Sequence, residues 1–230
     1  MKFIILYGSE SDLIKDLFNQ CEGHTLIRIY GSKLPADNEW SININGNSDT
    51  MIVEVLNVVA AAKKGDQIIF VGAAFLSDNS LLVSLKEQEI AKLLNLNVIS
   101  YVKLVSSLLP IMVRIRCGHF LYLSSFRAVN PTKGAVIYSA SKAFGESFFV
   151  GIAREYGRFG VKCNSLRMGY FDGRILSSLG GPEAIQKVKS RSALRRLGSA
   201  DDLRKAILFC IDSPYTTGGI LDINGGMDFE

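Results

Sequence analysis

LYLSSFRAVNPTKGAVIYSASK, residues 121–142, decides both the fold and the chemistry. It opens on a short apolar run, Leu121-Tyr122-Leu123, that reads as a buried strand. The run stops at Ser124-Ser125, crosses a loop marked by Asn130-Pro131 and Gly134, and enters a helical pattern at Tyr138. Tyr138 and Lys142 are four residues apart, so a helix sets them one turn apart on one face. A fixed positive charge beside a phenol favours the phenolate and lowers the tyrosine pKa from its free value of about 10. Such a tyrosine exchanges protons near neutral pH. Ser125, at the strand end, is placed to polarise a substrate oxygen at the same point. A Tyr-x-x-x-Lys in a chain with eight tyrosines arises easily by chance; the strand, serine and helix around it give it weight.

Working outward, residues 2–7 (KFIILY) are a continuous apolar run suited to a parallel strand covered on both faces. A polar turn, Gly8 to Asp12, precedes helical spacing from Leu13 to Phe18. Residues 24–30 read as a second strand, 41–45 as a short third, 50–62 as a helix and 67–74 as a fourth strand. From about 80 to 114 the pattern predicts two helices, broken near Asn95 to Asn97 and ended near Pro110 or Cys117-Gly118. The helix entered at Tyr138 runs to about Gly157, and residues 161–168 read as a sixth strand. A Gly- and Ser-containing loop-helix region follows to about Leu194, then a helix over 201–212 capped by Ser199, then a last strand over 219–225. The alternation predicts an α/β doubly wound parallel sheet, Rossmann-like, as one domain over residues 1–230.

Composition narrows the classes. At 48% hydrophobic and 21% charged the chain is globular rather than disordered. The net charge of +4 is scattered apart from residues 191–196, and no basic-aromatic stripe predicts nucleic-acid binding. Four well-separated cysteines and two histidines predict no metal site and suit free thiols in a reducing compartment. The short apolar start reads as a strand rather than a signal peptide, and no apolar run nears the roughly 18 residues of a membrane span. These features predict a cytoplasmic protein.

In doubly wound sheets ligands bind outside the carboxyl ends of the strands. Ser, Tyr, Lys and Asn there suit proton delivery to a carbonyl oxygen while a cofactor brings hydride to its carbon. On these residues the chain resembles a short-chain dehydrogenase/reductase, close in pattern to the 3-oxoacyl-carrier-protein reductases. Ser125, Tyr138 and Lys142 fill the family's Ser-x12-Tyr-x3-Lys, and the family asparagine falls on Asn97. Asn164 to Gly169 resembles the Asn-x-x-x-Pro-Gly strand end with Met168 for Pro. Arg195 to Leu203, Thr217-Gly218 and Asn224-Gly225-Gly226 resemble the C-terminal signature. The resemblance implies Tyr138 as general acid or base, Lys142 as tuner of its pKa and ribose ligand, Ser125 as carbonyl orienter and Asn97 as holder of a relay water.

The N-terminal part departs from the family. Its Thr-Gly-x-x-x-Gly-x-Gly reads Tyr7-Gly8-Ser9-Glu10-Ser11-Asp12-Leu13-Ile14, with only the first glycine kept, and Glu10 and Asp12 bring negative charge to a phosphate-binding helix end. The Asn-Asn-Ala-Gly after the fourth strand is absent; Val71-Gly72-Ala73-Ala74 stands near it. Cofactor contacts implied are Gly8, Ser9, Ser11, Leu13, Ser32, Lys33, Ala73, Tyr138, Lys142, Gly169 and Phe171. Ser32 and Lys33, with no acid after the second strand, favour NADP(H) over NAD(H). Gly173, Gly180 and Gly181 suit a mobile lid, whose Tyr170, Phe171, Ile175, Leu176 and Leu179 suit either a partly apolar substrate or lid packing.

The resulting expectation is an NAD(P)H-dependent ketoreductase or secondary alcohol dehydrogenase. Its substrate is a small carbonyl or alcohol, or an acyl group on a carrier docked by Arg114, Arg116, Arg195 and Arg196. Two alternatives stay open: a non-redox partner subunit that keeps the fold but binds dinucleotide weakly, and an isomerase, epimerase or dehydratase. A homodimer or homotetramer is implied, with Phe144, Phe148, Phe149 and Ile152 forming a wide apolar helix face.

Overall fold

The computed structural model describes residues 1–8, 24–30, 41–43, 48–172 and 181–227. Strands β1 (Lys2–Tyr7), β2 (His24–Tyr30), β3 (Ser41–Asn43), β4 (Gln67–Gly72), β5 (Gly118–Ser125), β6 (Val161–Met168) and β7 (Ile220–Ile223) form one sheet. Its order is β3-β2-β1-β4-β5-β6-β7 and every neighbouring pair is parallel. The chain steps outward from β1 to β3, then returns to β4 on the other side of β1. The β1–β4 boundary is therefore the topological switch point, where the connections diverge and leave a crevice.

Side-chain alternation assigns the two faces. Phe3, Ile5, Tyr7, Phe70, Phe120 and Tyr122 point to one side. There they meet helices α1 (Ser48–Val59), α3 (Ser100–Ile115) and α4 (Val136–Tyr156). Ile4, Leu6, Ile69, Val71, Leu121 and Leu123 point to the other side, against α6 (Ala200–Asp212). Both faces of the central strands are buried, which is why these strands read as continuous apolar runs. The remaining described helices are α2 (Glu87–Leu94) and α5 (Pro182–Ser190). Ser199 caps α6 as expected, in a reciprocal pair with Asp202.

Several expectations are corrected. The helical break near Asn95 is a π-turn, Asn95–Ile99, so α2 and α3 run on as one bent rod. That rod begins at Glu87 rather than near 80 and continues through Pro110 to Ile115, where Arg116 closes it in a left-handed conformation. The span Glu87–Ile115 is also long and apolar enough to cross a membrane by length and composition, contrary to the sequence expectation. Its Leu104, Val105, Leu108 and Met112 lie in the core cluster, so its apolar face serves the sheet. The wide apolar face of α4 divides: Phe149 and Ile152 are core, while Phe144 stacks on Phe148 outside it. The helix expected from Leu13 lies outside the described residues.

Candidate active site

The carboxyl ends of β1, β4 and β5 meet the start of α4, and this junction gathers the expected residues. At the switch point Gly8 takes φ +88, and a Cβ there would lie 2.4 Å from the Ala74 nitrogen. Gly8 N–H donates to the Ile29 carbonyl (3.1 Å) and Ala73 N–H to the Tyr7 carbonyl (2.8 Å). The crevice floor is thus built of small residues, Gly8, Ala73 and Ala74, and only glycine fits the first position.

Ser125 ends β5, and its hydroxyl accepts from the Arg127 backbone N–H (3.2 Å). The same hydroxyl faces the Tyr138 phenol and acts to lower its pKa. Tyr138 stands in the first turn of α4. Asp78, buried, caps that turn: its two carboxylate oxygens accept from the N–H groups of Ile137 (3.3 Å) and Tyr138 (3.2 Å). Burial raises the Tyr138 pKa above its ordinary 10.0, against the Ser125 hydroxyl and the Arg127 charge, which lower it. The phenol therefore rests protonated at neutral pH, with two groups ready to stabilise the phenolate that proton transfer leaves.

Lys142 is 2% exposed. Its ammonium donates to the Leu123 carbonyl (2.7 Å) and lies 4.7 Å from the Tyr122 ring centre, 5.1 Å from that of Phe75 and 5.8 Å from that of Tyr138. Burial pulls its pKa from 10.5 to about 7, opposed by the Glu146 carboxylate. The sequence assigns Lys142 the task of lowering the Tyr138 pKa. In the structure the Arg127 charge acts to lower it, while the Lys142 ammonium is turned toward the Leu123 carbonyl on β5 and burial lowers its own pKa to about 7.

Asn97 lies in the π-turn, and its amide is fully engaged. Its oxygen accepts from Leu76 N–H (2.8 Å), and its nitrogen donates to the Leu76 carbonyl (2.8 Å) and the Ser141 hydroxyl (3.0 Å). The side chain clamps the loop after β4 to α4.

The other expected contacts divide. Ser9, Ser11, Leu13, Ser32 and Lys33 lie outside the described residues, as do Gly173, Ile175, Leu176, Leu179 and Gly180. Gly169 donates to the Ile223 carbonyl (3.1 Å), and a Cβ on it would meet Asn224 at 2.8 Å, so close packing against β7 explains it. The Phe171 side chain is in the core beside Leu203 and Ile207, which leaves its backbone for a ligand. Tyr170 packs on Phe126 (5.3 Å) and borders an open cavity of about 430 Å³ with Leu194, Arg196, Asp222 and Gly226. The proposed docking arginines have intrachain work: Arg114 donates to the Ala60 (3.2 Å) and Ala62 (3.0 Å) carbonyls, and Arg196 pairs with Asp202 (2.6 Å).

Four contributors escape sequence reasoning: Phe75, Asp78, Ser141 and Glu146. Glu146 follows Lys142 by one turn and is buried, accepting from Ser124 (2.7 Å) and from Arg167 in two bonds (3.0 and 2.8 Å). Arg167 also reaches Asp222 (3.4 Å), so β5, α4, β6 and β7 are tied beneath the site. A lone acid one turn past Lys142, and the departure from the family's glycine beside Ala74, were the available signals.

Comparison with known proteins places the fold and the family. A family model described as enoyl-(acyl carrier protein) reductase matches residues 32–228. The 3-oxoacyl-(acyl-carrier-protein) reductase of Buchnera aphidicola is 27% identical over 213 residues, covering 87% of each chain. That of Pseudomonas aeruginosa is 30% identical over 166 residues, 71% of this chain and 66% of its own. The solved structure of ElxO with NADP bound superposes with TM-score 0.82 at 18% identity, covering 98% of both chains. A putative gluconate dehydrogenase from Agrobacterium tumefaciens gives 0.83 at 17%, over 98% of this chain and 95% of its own. These two structures share the fold. With the family model spanning most of the sequence, the chain belongs to the short-chain dehydrogenase/reductase family.

Proposed function

We propose that the chain is an NADP(H)-dependent ketoreductase working in the CH–OH/C=O direction pair, with Tyr138 as its general acid. The observation that carries the reading is the junction of Ser125, Tyr138 and Lys142 beside a glycine- and alanine-floored crevice at the switch point. Glycine and alanine at these strand ends suit the close approach of a dinucleotide. A bound nicotinamide supplies the hydride. Everything else falls to the protein. Ser125 donates to the substrate carbonyl oxygen and orients it beside the phenol. Tyr138 gives its proton to that oxygen as it gains charge, and Ser125 and Arg127 stabilise the resulting phenolate. Lys142, titrating near neutral pH, returns a proton to it.

NADP(H) is preferred because Ser32 and Lys33 follow β2 with no acid among Tyr30 to Lys33, and ElxO is a fold neighbour with NADP bound. The substrate class is a 3-oxoacyl thioester, after the acyl-carrier-protein reductases that the chain resembles. The free thiols Cys117, Cys163 and Cys210 suit a reducing cytoplasm. Self-association through the outer side of α4, where Phe144 and Val136 stand exposed, completes the reading, and sedimentation should give a dimer or tetramer. The direct test is titration with NADPH and NADH followed by nicotinamide fluorescence, then cofactor oxidation on adding a 3-oxoacyl thioester. Tighter binding of NADPH and consumption only with the carbonyl present are expected. No binding at millimolar cofactor would instead favour a partner subunit that keeps the fold.

A further inference from the structure

Phe75 occupies a place that nothing in the mechanism above uses. It follows Ala74 at the end of β4 and is 37% exposed, yet its ring centre lies 5.1 Å from the Lys142 ammonium and 5.7 Å from the Tyr138 ring. The backbone around it is held from four sides. Ala73 donates to Tyr7 on β1 (2.8 Å), and the Ala74 carbonyl accepts from the Tyr101 hydroxyl on α3 (2.8 Å). Leu76 is gripped at both its N–H and its carbonyl by Asn97, and Asp78 is fastened to the start of α4. A segment tied this firmly presents the Phe75 side chain in one place.

That place completes a cage. Three rings surround the Lys142 ammonium: Tyr122 from β5, Tyr138 from α4 and Phe75 from the loop. Tyr122 and Tyr138 are buried, so Phe75 is the ring that faces solvent. Rings attract an ammonium through their faces while excluding the water that would solvate it. We propose that Phe75 is a positioning residue of the Tyr138–Lys142 pair, closing the solvent side of this cage and so setting the pH range over which the pair exchanges protons. The inference rests on the reading of that pair as the proton-delivery groups. Among the described residues the other charged or titratable groups facing the pair are Glu146 and Tyr122 toward Lys142, Arg127, Tyr101 and Tyr122 toward Tyr138, and Asp78 at the first turn of α4. With Phe75 in place the lysine titrates near 7. Without it water reaches the ammonium, and the charged form gains.

The experiment is an NMR titration of the free protein carrying ¹³Cε-labelled lysine, with the Lys142 signal assigned by its loss in Lys142→Met. In Phe75→Ala the Lys142 midpoint should rise by about one pH unit or more, since relief of burial restores the charged form. Phe75→Leu, which keeps an apolar cover, should stay close to the wild type. Should the alanine variant not fold, Phe75→Gln puts a polar group at the same half-exposed point and should raise the midpoint likewise. The alkaline limb of kcat for carbonyl reduction should move with the midpoint. Unmoved midpoints in the alanine and glutamine variants, with activity lowered equally at every pH, would overturn the inference and leave Phe75 a packing residue. A shifted midpoint in a chain that reduces no carbonyl would uphold the cage and remove the function assigned above.

Discussion

Replacing Lys142 with Met should make the protein more stable near neutral pH while removing its activity. The ammonium is caged in the core, and burial moves its pKa from 10.5 to about 7. A base with a depressed folded-state pKa disfavours folding wherever the unfolded chain holds the proton more tightly. The cost is absent well above 10.5, grows as the pH falls, and is complete below 7. Between roughly pH 10 and pH 6 it amounts to about 4 kcal/mol, at about 1.4 kcal/mol per pH unit. Methionine keeps the unbranched stem and carries no charge. It leaves the Leu123 carbonyl without its lysine donor, a loss of about 1–3 kcal/mol that does not vary with pH.

The stability difference between Met and Lys should therefore favour Met by about 2 kcal/mol at pH 6 and vanish or reverse at pH 10. Urea denaturation of both proteins at the two pH values measures it, with equal m-values as the check on the reference states. A difference that stays constant within about 1 kcal/mol across that range would refute the reasoning, because it would mean that Lys142 titrates alike folded and unfolded.

Asp78→Ala should remove the cap from the turn that carries Tyr138, costing about 1–2 kcal/mol of stability and lowering kcat about 10- to 100-fold through misplacement of the phenol; steady-state kinetics and thermal melts check both. Glu146→Ala should cost about 1–3 kcal/mol by removing the acceptor of Ser124 and of half-buried Arg167, which keeps its contact to Asp222, whereas Glu146→Leu combined with Arg167→Leu should recover most of it in denaturant melts. His119 is buried with Nδ1 unpartnered, and burial lowers its pKa from 6.5 to about 4. Its neutral form suits the fold, so stability should be full above pH 6.5 and fall as the pH drops toward 4, by about 2–3 kcal/mol; His119→Phe should lack that component in urea titrations at pH 7 and 4.5.

The parallel sheet was legible because central strands covered on both faces have no choice but to be apolar throughout, and β1, β4, β5 and β6 are. The Ser125–Tyr138–Lys142 set was legible because a strand end followed by a helix imposes fixed spacings on groups that must converge. Asn97 was placed by the family resemblance, but its π-turn was not legible, since its side chain bonds to Leu76 and Ser141, 21 and 44 residues away. Phe75 and Asp78 were missed for the same reason. Their meaning comes from α4 crossing over the loop after β4, a contact that no local pattern encodes. The depth of Lys142 was not legible, because spacing reveals proximity to Tyr138 and says nothing of burial, the largest cause lowering the lysine's pKa. Gly169 and Phe171 show the converse: residues matched by motif whose positions are explained by packing against Asn224 and the core.

The central claim is that Tyr138 delivers the proton in a cofactor-dependent carbonyl reduction. Comparing wild type with Tyr138→Phe for NADPH binding and for NADPH oxidation by a 3-oxoacyl thioester tests it most directly. The account predicts that both proteins bind NADPH alike and that only the wild type oxidises it, with turnover in the variant lower by at least about 10²-fold. A Phe variant that turns over at the wild-type rate would contradict it.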